Sequence, residues 1–200
     1  MELFKLDTSI NLLPNDGIVH YFGQVLTPLQ AKKYYQQLMD TASWKNDEVV
    51  IFGKHITTKR MVAWYGDSNF SYTYSNTTKQ ASVWSKELLE LKTLAEDICQ
   101  TSFNSCLLNL YHDGTEGMGW HSDNEKSLQN ERPIASLSLG AERKFLLKHK
   151  QTKASVSVIL QSGSLLAMRG ATQTNWVHSL PKSTRVSTPR INLTFRSMVL

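Results

Sequence analysis

The spacing of apolar residues predicts two helices in the first half of the chain. Thr27 stands directly before Pro28 and three residues before Gln30, which is the capping-box pattern that begins a helix. Apolar residues at three- and four-residue steps continue this helix to about Asp40. The same spacing predicts a second amphipathic helix over residues 82 to about 103.

The remaining segments predict short strands. Residues 16–26 open with an Asp-Gly turn and continue as an apolar run, and residues 48–75 contain several short extended pieces. After residue 103 the chain repeats short alternating pieces, separated by turns that contain glycine. Repeated short strands without intervening helices predict an antiparallel barrel or sandwich. With two helices ahead of it, the expected fold class is α+β.

Composition narrows the class of protein only moderately. A chain of 200 residues with 40% apolar content suits one domain with a sizeable core. There is no 18-residue apolar run and no apolar leader, so no membrane span or secretory signal is expected. Two cysteines cannot form a disulfide framework, which favours a cytoplasmic location, or a nuclear one in a eukaryote. A net charge of +5 is compatible with a polyanionic partner but does not decide the matter.

Candidate metal ligands lie near the middle of the chain. His121 and Asp123 are two residues apart, so on an extended strand both side chains leave the same face. Two histidines and one carboxylate form the facial triad of non-heme iron oxygenases, which leaves three coordination positions open. The candidate third ligand is His178, which only a fold such as a jelly roll would bring near the other two. A zinc hydrolase could use the same three residue types.

The last predicted strand indicates a site for a small diacid. From Arg190 to Arg196 the polar residues alternate with apolar ones, so Arg190, Asn192 and Arg196 share one face. Arginine offers a planar fork for carboxylates. At about 3.3 Å per residue the two arginines stand roughly 20 Å apart along the strand, so they cannot share one carboxylate but could lean inward onto the two ends of a small diacid. Asn109 and Tyr111 offer neutral hydrogen-bond donors. A diacid clamp argues against the zinc hydrolase.

Residues 48–75 combine aromatic and basic side chains, as do surfaces that stack nucleobases and bind phosphates. Aromatic residues are also favoured in strands and are usually buried in cores. Composition alone therefore leaves both interpretations open for this segment.

Together these motifs resemble one known family. The order Asn-x-Tyr, His-x-Asp, a distal His and Arg-x-Asn-x-x-x-Arg is similar to that of the AlkB family of iron(II)- and 2-oxoglutarate-dependent nucleic-acid demethylases. The resemblance is closest to the DNA-repair members. It covers roughly residues 49–197, including the flanking stretches IFGKH, KRMVAWYGD, SYTYS and PIASLSLGAERKFLLKHK. His-x-Asp alone would be weak evidence, but the ordered set is highly specific.

The resemblance implies a single domain over residues 1–200. Its core would be a double-stranded β-helix of the jelly-roll or cupin-like kind, over about residues 105–200. The N-terminal helices would pack on one sheet, and a nucleotide-recognition lid would occupy about residues 48–80. A monomer is expected.

The resemblance also implies the chemistry. His121, Asp123 and His178 would bind Fe(II). The co-substrate 2-oxoglutarate would be held by Asn109, Tyr111, Arg190, Asn192 and Arg196. Oxidation by O2 would convert 2-oxoglutarate to succinate and hydroxylate an N-methyl group on the base, and the hydroxymethyl product would lose formaldehyde.

The implied partner is methylated DNA, as a duplex with a flipped base, with single-stranded DNA or RNA left open. Tyr74 and His121 would sandwich the base. Tyr72 and Glu125 would lie at its edge, where a carboxylate suits cationic N1-methyladenine or N3-methylcytosine. The wedge that fills the gap would be Phe52. Contacts with the DNA backbone are implied for Arg60 and for the run from Arg143 to Lys150.

Two departures from the family pattern affect substrate choice. Lys59 stands where the family often has proline, and Asn124 replaces one of two acidic residues that follow the ligands in duplex-repair members. Base selectivity is therefore open. An RNA demethylase, or a protein or small-molecule hydroxylase with the same iron site, is the alternative enzyme. A non-catalytic nucleic-acid-binding barrel would need neither the triad nor the paired arginines.

Overall fold

The computed structural model describes residues 7–51, 54–67, 71–74, 77–125, 128 and 132–199. The helices are α1 (Pro28–Thr41), α2 (Lys86–Cys99) and α3 (Thr172–Asn175). The strands are β1 (Ile18–Gln24), β2 (Lys45–Ile51), β3 (Lys54–Gly66), β4 (Ser71–Tyr74), β5 (Thr77–Gln80), β6 (Ser105–Tyr111), β7 (Met118–His121), β8 (Ile134–Gly140), β9 (Arg143–His149), β10 (Ser155–Leu160), β11 (Ser164–Arg169), β12 (Trp176–Leu180) and β13 (Arg190–Arg196).

Two antiparallel sheets form the core. The major sheet has the strand order β1-β11-β8-β13-β6-β3-β2, and the minor sheet has the order β10-β9-β12-β7. One hydrophobic cluster contains side chains from both sheets, among them Tyr111, Phe145, Leu147 and Leu166, so the sheets pack face to face. This arrangement confirms the predicted jelly-roll core within an α+β domain.

The segment predicted as a lid is partly a component of the core. Strand β3 pairs with β6 from Met61 to Gly66, which makes it a full member of the major sheet. Strands β4 and β5 form a separate two-stranded sheet. Within the segment predicted as a lid, the β4–β5 hairpin is therefore the part that does not belong to the major sheet.

Both predicted long helices are present and pack beside β8. The capping box of α1 forms as predicted, with Thr27 and Gln30 bonding each other's backbone groups. Helix α2 begins at Lys86 rather than residue 82, because Ser85 caps it by accepting from the backbone N–H of Leu88. Each helix has 14 residues, and no helix of the described chain is long and apolar enough to cross a membrane.

The alternation along β13 separates the two environments of the major sheet. Ile191, Leu193 and Phe195 are buried in the hydrophobic cluster that includes side chains of α1 and α2. The intervening polar residues of β13 therefore point away from the helices, toward the space between the sheets. This side carries the residues predicted to bind a diacid.

Gly114 sits where the loop after β6 crosses the loop before β13. Its N–H donates to the carbonyl of Val186 over 2.8 Å, and its carbonyl accepts from the N–H of Ser183 over 2.7 Å. A Cβ atom on Gly114 would lie 1.9 Å from the carbonyl oxygen of Ser183, whereas one on Gly119 would meet nothing within 4 Å. Both glycines lie in the loop and strand that lead to His121.

Gly114→Ala is expected to lower the free energy of unfolding by about 1–3 kcal/mol, because the two crossing loops must separate to admit the methyl group. Gly119→Ala is the matched control and is expected to change it by less than about 0.5 kcal/mol. Chemical denaturation of both variants measures the difference. Equal stability of the two variants would contradict this account of the crossing.

Candidate metal centre

The antiparallel pairing of β7 with β12 brings two of the predicted ligands together. His178 and Leu180 of β12 pair with His121 and Met118 of β7, so between these two pairs one residue of β12 faces two residues of β7. Because of this extra residue in β7, the side chains of His121 and Met118 can leave the same side of the minor sheet although they are three residues apart. The rings of His121 and His178 lie 4.2 Å apart between centroids. Direct pairing across neighbouring strands thus sets the distance between the two histidines.

The third predicted ligand completes the group. Asp123 follows two residues after the end of β7, and its Oδ1 lies 3.9 Å from Nε2 of His121. One ligand atom from each of His121, Asp123 and His178 lies within 4.8 Å of the others, which makes these three a possible metal site. His178 is distant in sequence from His121 and Asp123, but it lies close to them in space because β12 and β7 are neighbours in the minor sheet.

Hydrogen bonding and burial prepare the two histidines differently for metal binding. Nδ1 of His121 lies 2.8 Å from the carbonyl oxygen of Gly119, which can only accept, so in the neutral ring Nδ1 carries the proton and Nε2 is free. Burial lowers the pKa of His178 to about 4, although the charge of Asp123 acts in the opposite direction. At neutral pH the ring of His178 is therefore uncharged and offers a lone pair, as metal binding requires.

Asp123 supplies the anionic ligand. Burial by itself would raise the pKa of this carboxyl, but the nearby Arg196, His178 and His121 outweigh burial and the pKa is lowered. Nη2 of Arg196 lies 3.0 Å from Oδ1 of Asp123. Two imidazoles and one carboxylate fit an octahedral Fe(II) site with three open positions.

Arg190 is a buried cation on the polar side of β13. Its Nη2 donates to Oγ of Ser138 over 2.9 Å and to Oδ1 of Asn192 over 2.7 Å, both of them neutral groups. Arg190 is 2% exposed, and burial lowers its pKa to about 10. Among the described residues, the Nε atom of Arg190 has no hydrogen-bond partner, and the Arg190 guanidinium takes part in no ion pair. A buried charge without a counter-ion is costly, so an anionic ligand suits this position.

The surroundings of Arg190 form one hydrogen-bonded network. Asn192 accepts from Oγ of Ser136 over 2.8 Å and donates to Oγ1 of Thr194 over 2.8 Å. Asn109 lies beside Asn192, and Tyr111 lies beside Arg190, in the register of β6 with β13. The guanidinium of Arg190 is 5.6 Å from the ring centre of Tyr111. The structure thus brings together four of the five residues predicted to bind 2-oxoglutarate.

The fifth, Arg196, is placed differently. Its guanidinium contacts the metal ligand Asp123, whereas Arg190 lies at the opposite end of the strand. Its Nε is also buried without a hydrogen-bond partner. Arg196 therefore links the metal site to the polar side of β13, and its contact with 2-oxoglutarate stays a prediction.

The two arginines predicted to contact DNA are buried within the protein. Arg143 is 2% exposed and donates to three carbonyl oxygens, those of Asp113, Glu116 and Pro181, over 3.3, 2.8 and 2.8 Å. Arg60 is also buried and forms an ion pair with Asp47. Both guanidinium groups are occupied by internal partners, so neither is presented to a phosphate. Their burial argues against the predicted DNA contacts of Arg60 and Arg143, which stay predictions.

The residues predicted to contact the base are described only in part. Glu125 is exposed and lines a cavity of about 250 Å3 together with Asp123 and Arg196. Tyr72 and Tyr74 lie on β4, for which the backbone is described. Phe52 lies outside the described residues. Base contact stays a prediction for all of these residues, as does the sandwich of Tyr74 with His121.

Sequence reasoning missed two serines of the network around Arg190. Ser136 and Ser138 alternate with Leu137 and Leu139 along β8, and the leucines are buried in the hydrophobic cluster below α1 and α2. The same two-residue period that identified β13 would have placed both serines on the polar side.

Comparisons with known proteins agree with this geometry. The family model described as the 2OG-Fe(II) oxygenase superfamily matches residues 18–196. The human protein DNA oxidative demethylase ALKBH2 is 39% identical over 160 residues, covering 76% of this chain and 61% of the human protein. In Bos taurus, the alpha-ketoglutarate-dependent dioxygenase alkB homolog 3 is 38% identical over 179 residues, covering 84% of this chain and 62% of that protein.

The chain spans about three fifths of the length of these two relatives. Among solved structures, that of OsALKBH1 superposes with a TM-score of 0.62 at 16% identity, covering 92% of this chain and 99% of that one. At this level of identity the superposition demonstrates a shared fold.

Proposed function

Because the chain belongs to the 2OG-Fe(II) oxygenase superfamily, and within it to the AlkB family, we propose that it oxidatively demethylates alkylated DNA. Membership in the superfamily implies Fe(II), 2-oxoglutarate and O2 as cofactors. The relatives named as DNA oxidative demethylases support DNA as the substrate class.

The observation that carries the proposal is the pairing of a two-histidine, one-carboxylate group with a buried arginine that has no counter-ion among the residues that the structure describes. His121, Asp123 and His178 would hold Fe(II), and Arg190 would bind a carboxylate of 2-oxoglutarate. When bound, Fe(II) with 2-oxoglutarate and O2 supplies the oxidising power to hydroxylate a C–H bond. Asp123 remains ionised because Arg196 contacts its Oδ1, so the triad contributes one negative charge to the site.

We propose N1-methyladenine and N3-methylcytosine as the substrates. One O2 and one 2-oxoglutarate would convert the N-methyl group to N-hydroxymethyl, with succinate and CO2 as co-products. The hydroxymethyl group would then leave as formaldehyde and restore the base. Glu125, exposed at the cavity beside Asp123, offers a carboxylate near the metal site to a cationic methylated base.

We further propose that the base enters this cavity after it is flipped out of a duplex, and that the protein acts as a monomer. The β4–β5 hairpin, which is not part of the major sheet, is the candidate for covering the base. Since Arg60 and Arg143 are buried, the DNA backbone would be held by other cations. A cytoplasmic or nuclear location is in keeping with a DNA substrate and with two free cysteines.

The test is product analysis by mass spectrometry. Purified protein with Fe(II), 2-oxoglutarate and an oligonucleotide that contains N1-methyladenine is expected to release formaldehyde and restore adenine. A matched panel of single- and double-stranded DNA and RNA, each with N1-methyladenine or N3-methylcytosine, assigns the preferred substrate. Conversion of 2-oxoglutarate that no methylated nucleic acid stimulates would contradict the proposal and favour hydroxylation of a protein or a small molecule.

A further inference from the structure

We infer that Gln173 is a positioning residue that holds the metal ligand Asp123 in place, and that Lys150 fixes Gln173. This inference rests on the proposed metal site. Gln173 lies in α3, 50 residues after Asp123 in sequence, and its side-chain Oε1 accepts a hydrogen bond from the backbone N–H of Asp123 over 2.8 Å. That bond joins α3 to the chain segment that carries the carboxylate ligand.

Asp123 needs such a bond because strand pairing does not hold it. The pairing of β7 with β12 ends at His121, two residues before Asp123. Asp123 is nevertheless 7% exposed, so its backbone N–H requires a partner within the protein. Gln173 bonds the backbone of Asp123, and Arg196 bonds the carboxylate at Oδ1. Together the two bonds fix the backbone and the side chain of the ligand.

Gln173 is itself held on both sides. Its Nε2 lies 3.4 Å from Sδ of Met168 on β11. Its backbone carbonyl accepts from Nζ of Lys150 over 2.9 Å, and the same ammonium donates to the carbonyl of Thr174 over 2.7 Å and to Oγ of Ser122 over 3.3 Å. A lysine has three N–H donors, and all three are used here.

Lys150 thereby connects the segments that carry all three ligands. Ser122 lies between His121 and Asp123, and α3 leads directly into β12, which carries His178. The backbone N–H of Lys150 also donates to the carbonyl of Asn175, the last residue of α3, over 2.8 Å. Lys150 was expected to contact the DNA backbone as part of a basic run. Its three internal bonds assign it instead to the support of the metal site.

The expected effect of losing the acceptor on Gln173 is a weaker metal site. Without Oε1 the N–H of Asp123 must find another partner, and the carboxylate shifts with its backbone. Outer-shell changes of this kind typically lower metal affinity by about 10–100-fold. The fold depends little on this bond, because α3 remains attached through Thr172, Asn175 and the carbonyls that Lys150 binds.

The test measures binding of Mn(II) to the metal-free protein by electron paramagnetic resonance, without co-substrate or DNA. Gln173→Leu and Gln173→Asn remove the acceptor or withdraw it by one methylene, and each is expected to weaken Mn(II) binding by about 10–100-fold. Gln173→Glu keeps an oxygen at the same reach and is expected to restore the affinity. Gln151→Leu, an equivalent change at an exposed turn residue, is the control and is expected to bind as the unmodified protein does.

Hydrogen exchange in the metal-free protein gives a second readout, since the amide of Asp123 is expected to exchange faster in Gln173→Leu and Gln173→Asn only. Normal Mn(II) affinity in both of these variants, with the unmodified protein binding Mn(II), would overturn the role of Gln173 and leave the proposed function intact. Absence of Mn(II) binding in the unmodified protein would overturn the metal site, and this inference with it. DNA demethylation does not enter either measurement.

Discussion

His121→Ala is expected to reduce demethylation of an N1-methyladenine oligonucleotide by roughly a thousandfold or more, which corresponds to about 4 kcal/mol of barrier. The variant keeps two of the three ligands, and the ring it removes is the one whose Nε2 is free for the metal. His121 is also the most suitable ligand to remove, because its side chain is 38% exposed. Removal of Asp123 would instead leave the buried guanidinium of Arg196 without its ion-pair partner.

Three measurements separate loss of the metal from loss of the fold. Circular dichroism is expected to show an intact fold, Mn(II) titration to show a loss of affinity, and mass spectrometry to show unrepaired N1-methyladenine. His112→Ala is the matched control, because His112 lies just after β6, is exposed and contacts Glu116 rather than the triad. Turnover that survives His121→Ala would refute the assignment of the metal ligands.

Arg190→Met is expected to raise the KM for 2-oxoglutarate by about 30-fold to several thousandfold, the range for removing one partner of a buried charge pair. The same variant is expected to be more stable than the unmodified protein when 2-oxoglutarate is absent. The pKa of Arg190 is lowered to about 10 by burial, so the folded chain binds this proton less tightly than the unfolded chain does. The charge therefore destabilises the fold at every pH below about 10.

Replacing the guanidinium by an apolar side chain of similar length removes that cost, which we expect to stabilise the protein by about 1–3 kcal/mol at neutral pH. The neutral partners tolerate the change, because Asn192 still accepts from Ser136. Thermal unfolding with and without 2-oxoglutarate measures both effects. Addition of 2-oxoglutarate is expected to raise the Tm of the unmodified protein and of the exposed control Arg185→Met, but not that of Arg190→Met. A ligand-induced rise in Arg190→Met would contradict the role of Arg190.

Local sequence patterns correctly predicted those features that depend on a single helix or strand. The capping box at Thr27 predicted the start of α1, since the bonds involved lie within four residues. The two-residue period of β13 predicted its polar and apolar sides, because successive side chains of a strand point to opposite faces regardless of the strands that it pairs with. Residue types and spacing indicated His121, Asp123 and His178 as candidate ligands, and the pairing of β7 with β12 places His121 opposite His178.

The charged residues illustrate what local patterns do not decide. Arg60, Arg143 and Lys150 all belong to basic stretches that favoured a surface role, yet each is bound by acceptors inside the protein. The partners of Arg143 and Lys150 lie between 23 and 38 residues away along the chain. The sequence shows that a cationic side chain is present, but it does not show which carbonyl groups surround that side chain after folding.

By itself the sequence determined the class of fold, the order of its elements, and the residue types that could bind iron and a diacid. Tertiary structure alone decided which cations remain available to ligands, because burial and hydrogen bonding depend on segments that meet only after folding. Arg190 lies among neutral partners and suits an anionic ligand, whereas Arg196 contacts Asp123. Tertiary structure also decided how Gln173 comes to support a ligand 50 residues before it.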